Sequence, residues 1–157
     1  MKTIATILVL ILTTPAMASD MAGAISQYRR AHGLSAVKSD HTLTAIAQRQ
    51  ANAMAASNVL DHGAGGSFVS RISTANASSA AENIAVGTRT WADTFRMWKS
   101  SAGHNANLLR RDGTHVGVAV AYGSQPPHRP FWAMVIANRN PAKPSRKARY
   151  LRQPIAF

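Results

Sequence analysis

The segment Met97-Trp98-Lys99-Ser100-Ser101-Ala102-Gly103-His104-Asn105-Ala106-Asn107-Leu108-Leu109 joins an aromatic helix to a polar run that ends in two leucines. Upstream of it, Trp91, Phe95 and Trp98 stand at i, i+4 and i+7, so one face of a helix ending near Lys99 is aromatic. Three large rings on one helical face read as core rather than as a stacking platform. Residues 100–107 read as a loop that carries His104. Ser101 reads as a loop or capping residue rather than as a nucleophile.

Outward from this segment, two shorter ones hold the remaining polar candidates. Ala80-Ala81-Glu82-Asn83-Ile84-Ala85-Val86-Gly87 contains the only glutamate of the chain, and Leu60-Asp61-His62-Gly63 precedes it. A strongly basic protein has no need of one glutamate for solubility. The expectation is that Glu82, His62 and His104 converge once the chain folds.

Composition bounds the alternatives. The chain has 157 residues, 18 Lys and Arg against 6 Asp and Glu, and no cysteine. Thiol catalysis, thiolate zinc sites and disulfide staples are therefore excluded, and packing alone must hold the fold. Lys2, an apolar run over residues 4–12 and Ala16-Met17-Ala18 have the layout of a secretory signal with cleavage between Ala18 and Ser19. That run is too short to span a bilayer, so the protein is not read as integral to the membrane. Cleavage removes one cation, Lys2, leaving 17 basic residues against 6 acidic, a net of +11. Charge of this size favours anionic surfaces as partners.

The rest of the chain reads as helices followed by a strand pair. Helices are expected over 19–32 and 40–58, the second capped by Asp40, with Leu43, Ile46, Ala47, Gln50, Ala51 and Met54 on one face. Ser67 caps a short helix over 68–72. Residues 74–79 read as a surface loop, and 83–86 as a short strand or irregular segment. Strands follow over 115–122, where Val116, Val118 and Val120 alternate with small residues, and over 131–137, which is almost continuously apolar. His32, His41, His115 and His128 have no partner pattern and read as ordinary surface or loop residues. From residue 139 onward six cations and no acid occur, and prolines recur, so 139–157 is expected to be a flexible basic tail. Helices and a late strand pair make the class α+β, with 1–18 as signal, 19–138 as one domain and 139–157 as tail.

The segments Leu60-Asp61-His62, Glu82-Asn83-Ile84 and Trp98-x-x-Ser101-x-Gly103-His104-x-x-Asn107-Leu108-Leu109, in this order, resemble the CAP superfamily: cysteine-rich secretory proteins, antigen 5 and pathogenesis-related proteins. The likeness is to its bacterial SCP-like extracellular domains. It implies a secreted three-layer α-β-α sandwich whose central cleft is lined by two histidines and two acids. His62, Glu82 and His104 match three of those four. Ser101 stands where the family has its second acid, which weighs against any activity that needs two carboxylates.

Three functions are compatible with these residues. The first is a non-enzymatic domain that binds a lipid-like ligand or an anionic envelope component through a cleft of His62, Glu82, Asn83, Ser101 and His104, no cofactor being required. The second is a metal-assisted hydrolase, with zinc or another divalent cation on His62, Glu82 and His104 and water in the open positions. The third is an interaction module in which a buried His-Glu-His network only holds the sandwich together. Asn83 reads as pinning backbone beside Glu82. Nucleic acid is not an expected partner, since Tyr150 is the only aromatic among the tail cations and the protein is read as exported.

Overall fold

The computed structural model describes residues 15–139, with side chains from Asp20 onward. Helix α1 (Pro15–Ala31) leads into a two-residue strand β1 (Lys38–Ser39) and helix α2 (His41–Ser57). Asp40 accepts a hydrogen bond from Leu43 N and starts α2; Asn58, in the left-handed region at φ 54°, ends it. Ser67 caps α3 (Phe68–Ile72) by accepting from Ser70 N, and one 3-10 turn follows. Then come β2 (Ala77–Val86), α4 (Trp91–Ser100), α5 (Ala102–Leu108), β3 (His115–Tyr122) and β4 (Pro130–Arg139).

The four strands form one sheet in the order β1-β3-β4-β2, with β2–β4 and β3–β4 antiparallel and β1–β3 parallel. Strand alternation divides the core in two. Val116, Val118, Val120, Trp132, Met134 and Ile136 point to one face, where Met21 and Ile25 of α1, Trp98 of α4 and Leu108 of α5 cover them. Ala119, Ala121, Phe131, Ala133, Val135 and Ala137 point to the other, against Leu43, Ile46, Ala51 and Met54 of α2. Being covered on both faces is why β4 has no polar alternation. The result is the expected α+β three-layer sandwich.

Gly117 sets how closely α2 approaches. A Cβ there would stand 2.1 Å from Thr44 N and 2.2 Å from Leu43 C. Only glycine fits under that turn of helix, and the alanines at 119 and 121 extend the same shallow groove.

Two local expectations are corrected. Residues 77–79, read as surface loop, are strand: β2 runs ten residues and pairs with β4 from Ala77↔Arg139 to Val86↔Phe131. Small residues carry little strand preference of their own, and the long apolar partner decides. Residues 102–107, read as loop, belong to α5, which buries only Leu108 and therefore lacks an apolar stripe legible in the sequence. Arg139, counted with the tail, is the last residue of β4 and pairs with Asp40 and Thr42. The remaining tail cations and residues 1–14 of the expected signal lie outside the described residues.

Candidate functional site

The site lies at the sheet edge formed by β2. Consecutive strand residues face opposite layers, so Glu82 reaches the α2–α3 side while Asn83 reaches the α4–α5 side. Each is met by a group the other cannot touch.

On the first side Glu82 meets Arg71 of α3. Both side chains are 2% exposed. Arg71 Nη1 donates to Oε2 and Nη2 donates to Oε1 at 3.0 Å, a two-pronged pair that places a full positive charge against the carboxylate. The guanidinium is itself fixed: Nε donates to Gly66 O at 3.0 Å and Nη2 to His62 O at 2.8 Å. His62 Nδ1 lies 2.8 Å from Glu82 Oε1. The carboxylate can only accept, so Nδ1 is the donor, and Nε2 is left free of this bond. The His62 side chain is 60% exposed, so this ring is presented to solvent by a buried acid.

The loop that carries His62 is held from below by Gln50 of α2, which is fully buried. Its Nε2 donates to Asp61 O at 2.7 Å, and its Oε1 accepts from Gly65 N at 3.0 Å. A Cβ at Gly65 would stand 2.8 Å from that same Oε1, so a side chain there would press on the glutamine that holds the loop.

On the second side Asn83, fully buried, donates from Nδ2 to His104 O at 3.0 Å. Asn107 donates to Asn83 Oδ1 at 2.9 Å and to Glu82 O at 3.2 Å. Asn83 therefore pins the backbone of α5 rather than its own strand. Trp98 Nε1 donates to Ile84 O, so outward-pointing carbonyls of the edge strand are covered by α4 and α5. The His104 ring lies 6.4 Å from the Trp98 ring, and its Nδ1 is buried without a hydrogen-bond partner among the described residues. Burial, and secondarily the charge of nearby His62, lowers the pKa of His104 below its ordinary value. Ser101 occupies the N-cap position of α5 without a side-chain capping bond.

Of the expected trio, His62 and Glu82 are in contact, with Arg71 completing a chain Arg71–Glu82–His62, while the His104 side chain lies on the other layer and makes no hydrogen bond to either. These residues do not suit a divalent cation. The carboxylate oxygens are already held by Arg71 and His62, and the guanidinium cancels the negative charge a cation would need. Among the described residues no group of three or more His, Cys, Asp and Glu is placed to hold a metal ion. No helix among them is long and apolar enough to cross a membrane.

Arg71 and Gln50 were not singled out from the sequence as site residues. Gln50 did leave a signal, being the one polar residue on the apolar face of α2. Arg71 left only an indirect one: a buried lone glutamate requires a cation, and nothing local says which of many arginines supplies it.

The Cysteine-rich secretory protein family, CAP, matches residues 22–136. The uncharacterized protein YkwD of Bacillus subtilis is 33% identical over 94 residues, which are 57% of this chain and 37% of that protein. The chain thus spans well under half the length of that relative. In fold, an outer surface protein from Borrelia burgdorferi superposes with a TM-score of 0.71 at 17% identity, over 82% of this chain and 97% of the other. An extracellular protein containing a SCP domain from Bacillus anthracis gives 0.67 at 21% identity, over 82% and 45%. The order of the motifs, the three layers and the family match agree: the chain belongs to the CAP, or cysteine-rich secretory protein, family.

Proposed function

We propose that this is a secreted, non-enzymatic CAP domain that binds an envelope component through the edge cleft of His62, Glu82, Asn83, Ser101 and His104. The observation that carries the reading is the Arg71–Glu82 pair. It turns the only glutamate into a fixed acceptor for His62 instead of a free acid or base. What the cleft offers a ligand is then the exposed His62 ring, held through Nδ1 by the buried acid, and the half-buried His104 ring across the strand. Such groups suit the hydroxyls of a saccharide or polyol.

Catalysis is less well supported by the same geometry. A serine nucleophile needs a base within hydrogen-bond reach, and the Ser101 hydroxyl makes no hydrogen bond to either imidazole. The hydrolase reading would further require Glu82 to leave Arg71 for a cation. Secretion follows from the signal layout at residues 1–18, and the net charge of the released chain favours an anionic envelope.

The test is binding of the purified protein to isolated cell wall and to anionic vesicles, compared with His62→Ala and His104→Ala. Saturable binding weakened by either change supports the cleft. Equal binding by wild type and both variants would refute it.

A further inference from the structure

Beyond the C-terminal end of β2 lies a cavity apart from the cleft, lined by apolar as well as basic residues. It is lined by residues of the β2–α4 connection (Gly87, Arg89), the end of β3 (Tyr122) and the β3–β4 hairpin (His128, Arg129, Pro130), and encloses about 490 Å³. That volume lies in the range of small-molecule sites. Gly87 is five residues along the chain from Glu82, roughly 16 Å in extended conformation.

Its walls are braced by the backbone. Gly87 N donates to Pro130 O at 2.9 Å, with Gly87 at φ 93°, a conformation that favours glycine. Trp132 Nε1 donates to Thr88 O at 2.8 Å and so fixes the connection that carries Arg89. Across the hairpin, Gly123 N donates to Arg129 O at 2.9 Å, and His128 Nδ1 bonds Gly123 O at 3.0 Å.

The guanidiniums are not braced in the same way. Neither Arg89 nor Arg129 has an ion pair among the described residues, and no acid lines the cavity. Asp93, the acid nearest Arg89 in sequence, is taken by Arg96 and Thr90. Elsewhere in the described chain Arg29, Arg71, Arg96, Arg110 and Arg139 have partners, whereas Arg30, Arg49 and Arg111 are exposed without an ion pair and line no such cavity. Two unpaired guanidiniums beside an aromatic hydroxyl, on a rigid frame, form a donor set without an acceptor. Tyr122, 44% exposed, adds a ring face and a hydroxyl.

We infer that Arg89, Arg129 and Tyr122 form a second binding site, for a phosphoryl group carried on a polyol or sugar. The forked guanidiniums match phosphate oxygens, while the Tyr122 hydroxyl and the uncommitted ring nitrogen of His128 suit neighbouring hydroxyls. The same chemistry occurs on lipid headgroups and on non-lipid polyol phosphates.

The test is an NMR titration of the purified protein with inorganic phosphate, glycerol 3-phosphate and uncharged glycerol. Saturating shifts at Gly87, Arg89, Tyr122 and Arg129 are expected with the two phosphates and not with glycerol. R89Q/R129Q should bind glycerol 3-phosphate about tenfold more weakly. R49Q/R111Q, which removes the same charge from exposed positions elsewhere, should bind like wild type. All four arginines are exposed, so folding is expected to survive and is checked by melting. If sedimentation with phosphatidylglycerol-containing vesicles is lost in R89Q/R129Q, the source is a lipid headgroup. Glycerol 3-phosphate binding without vesicle sedimentation makes it a non-lipid polyol phosphate. Unchanged affinity in R89Q/R129Q, equal loss in R49Q/R111Q, or shifts confined to the surroundings of His62 and His104 would each overturn the site, the last while leaving the cleft proposal standing.

Discussion

Replacing Glu82 with glutamine is the most direct probe of the edge cleft. The substitution preserves shape and removes one charge. Arg71 is then left as a guanidinium 2% exposed with no anion beside it. Breaking a buried ion pair from one side costs about 3–5 kcal/mol. The lower end applies here, because Arg71 retains its bonds to Gly66 O and His62 O and the amide oxygen can still accept one donor. For a domain of this size about 3 kcal/mol corresponds to a fall of about 10 °C in Tm. Thermal melting or urea titration measures it directly. The companion variant Arg71→Met should be similarly destabilised, because it leaves the buried acid with only the His62 hydrogen bond. The two losses should not add: with a coupling of about 2 kcal/mol the double variant should lose about 4 rather than about 6 kcal/mol. A Glu82→Gln protein that melts within about 2 °C of wild type, or losses that simply add, would refute the pairing and the role assigned to it.

Two further outcomes test the frame and the second imidazole. Gly117→Val drives side-chain atoms into the backbone at Leu43 and Thr44, neither of which can yield without shifting α2, so soluble folded protein should be lost or destabilised by about 4 kcal/mol or more, as read by expression and urea unfolding. For His104 the sign follows from a folded pKa below the ordinary 6.5. The unfolded chain binds the proton more readily, so this contribution to stability is complete above 6.5 and is lost as pH falls through the folded value. His115 is lowered for the same leading reason, burial, and adds to the slope. His104→Gln should therefore flatten the loss of Tm between about pH 7 and pH 5, and an unchanged slope would show that His104 does not titrate as its surroundings dictate.

The parts legible in the sequence are those where a local signal and the tertiary outcome coincide. Asp40, Ser67 and Asn58 mark helix ends by side-chain chemistry that operates within a turn, and all three stand where that chemistry places them. The alternation in β3 and the apolar run of β4 identify a sheet, and the motif order identifies its family. What was not legible depends on partners far along the chain. The first half of β2 is alanine and serine, strand only because β4 offers a ladder. Helix α5 is stabilised at its edge by Asn83 and Asn107, whose bonds cross 21 and 24 residues. The Arg71–Glu82 pair is likewise invisible to pattern reading, since neither periodicity nor spacing says which cation a buried acid will find.

His62 belongs to the α2 side and His104 to the α4–α5 side, and only β2, an edge strand, stands between them. No disulfide joins the layers, since the chain has no cysteine. Their relative position rests on the core packing of both sheet faces and on a few bonds to one strand: Arg71 to Glu82, Asn83 to His104, Asn107 to both strand residues. A ligand that contacted both imidazoles would add a link between the layers that the polypeptide itself lacks. Because such a ligand binds the docked arrangement and not the separated one, it stabilises the fold by mass action. The increment grows with the logarithm of ligand concentration, and it vanishes if either histidine is removed. A ligand held by one layer alone would instead lose its stabilising effect with only one of the two substitutions, so the pair of variants reports whether the cleft is bridged or merely occupied.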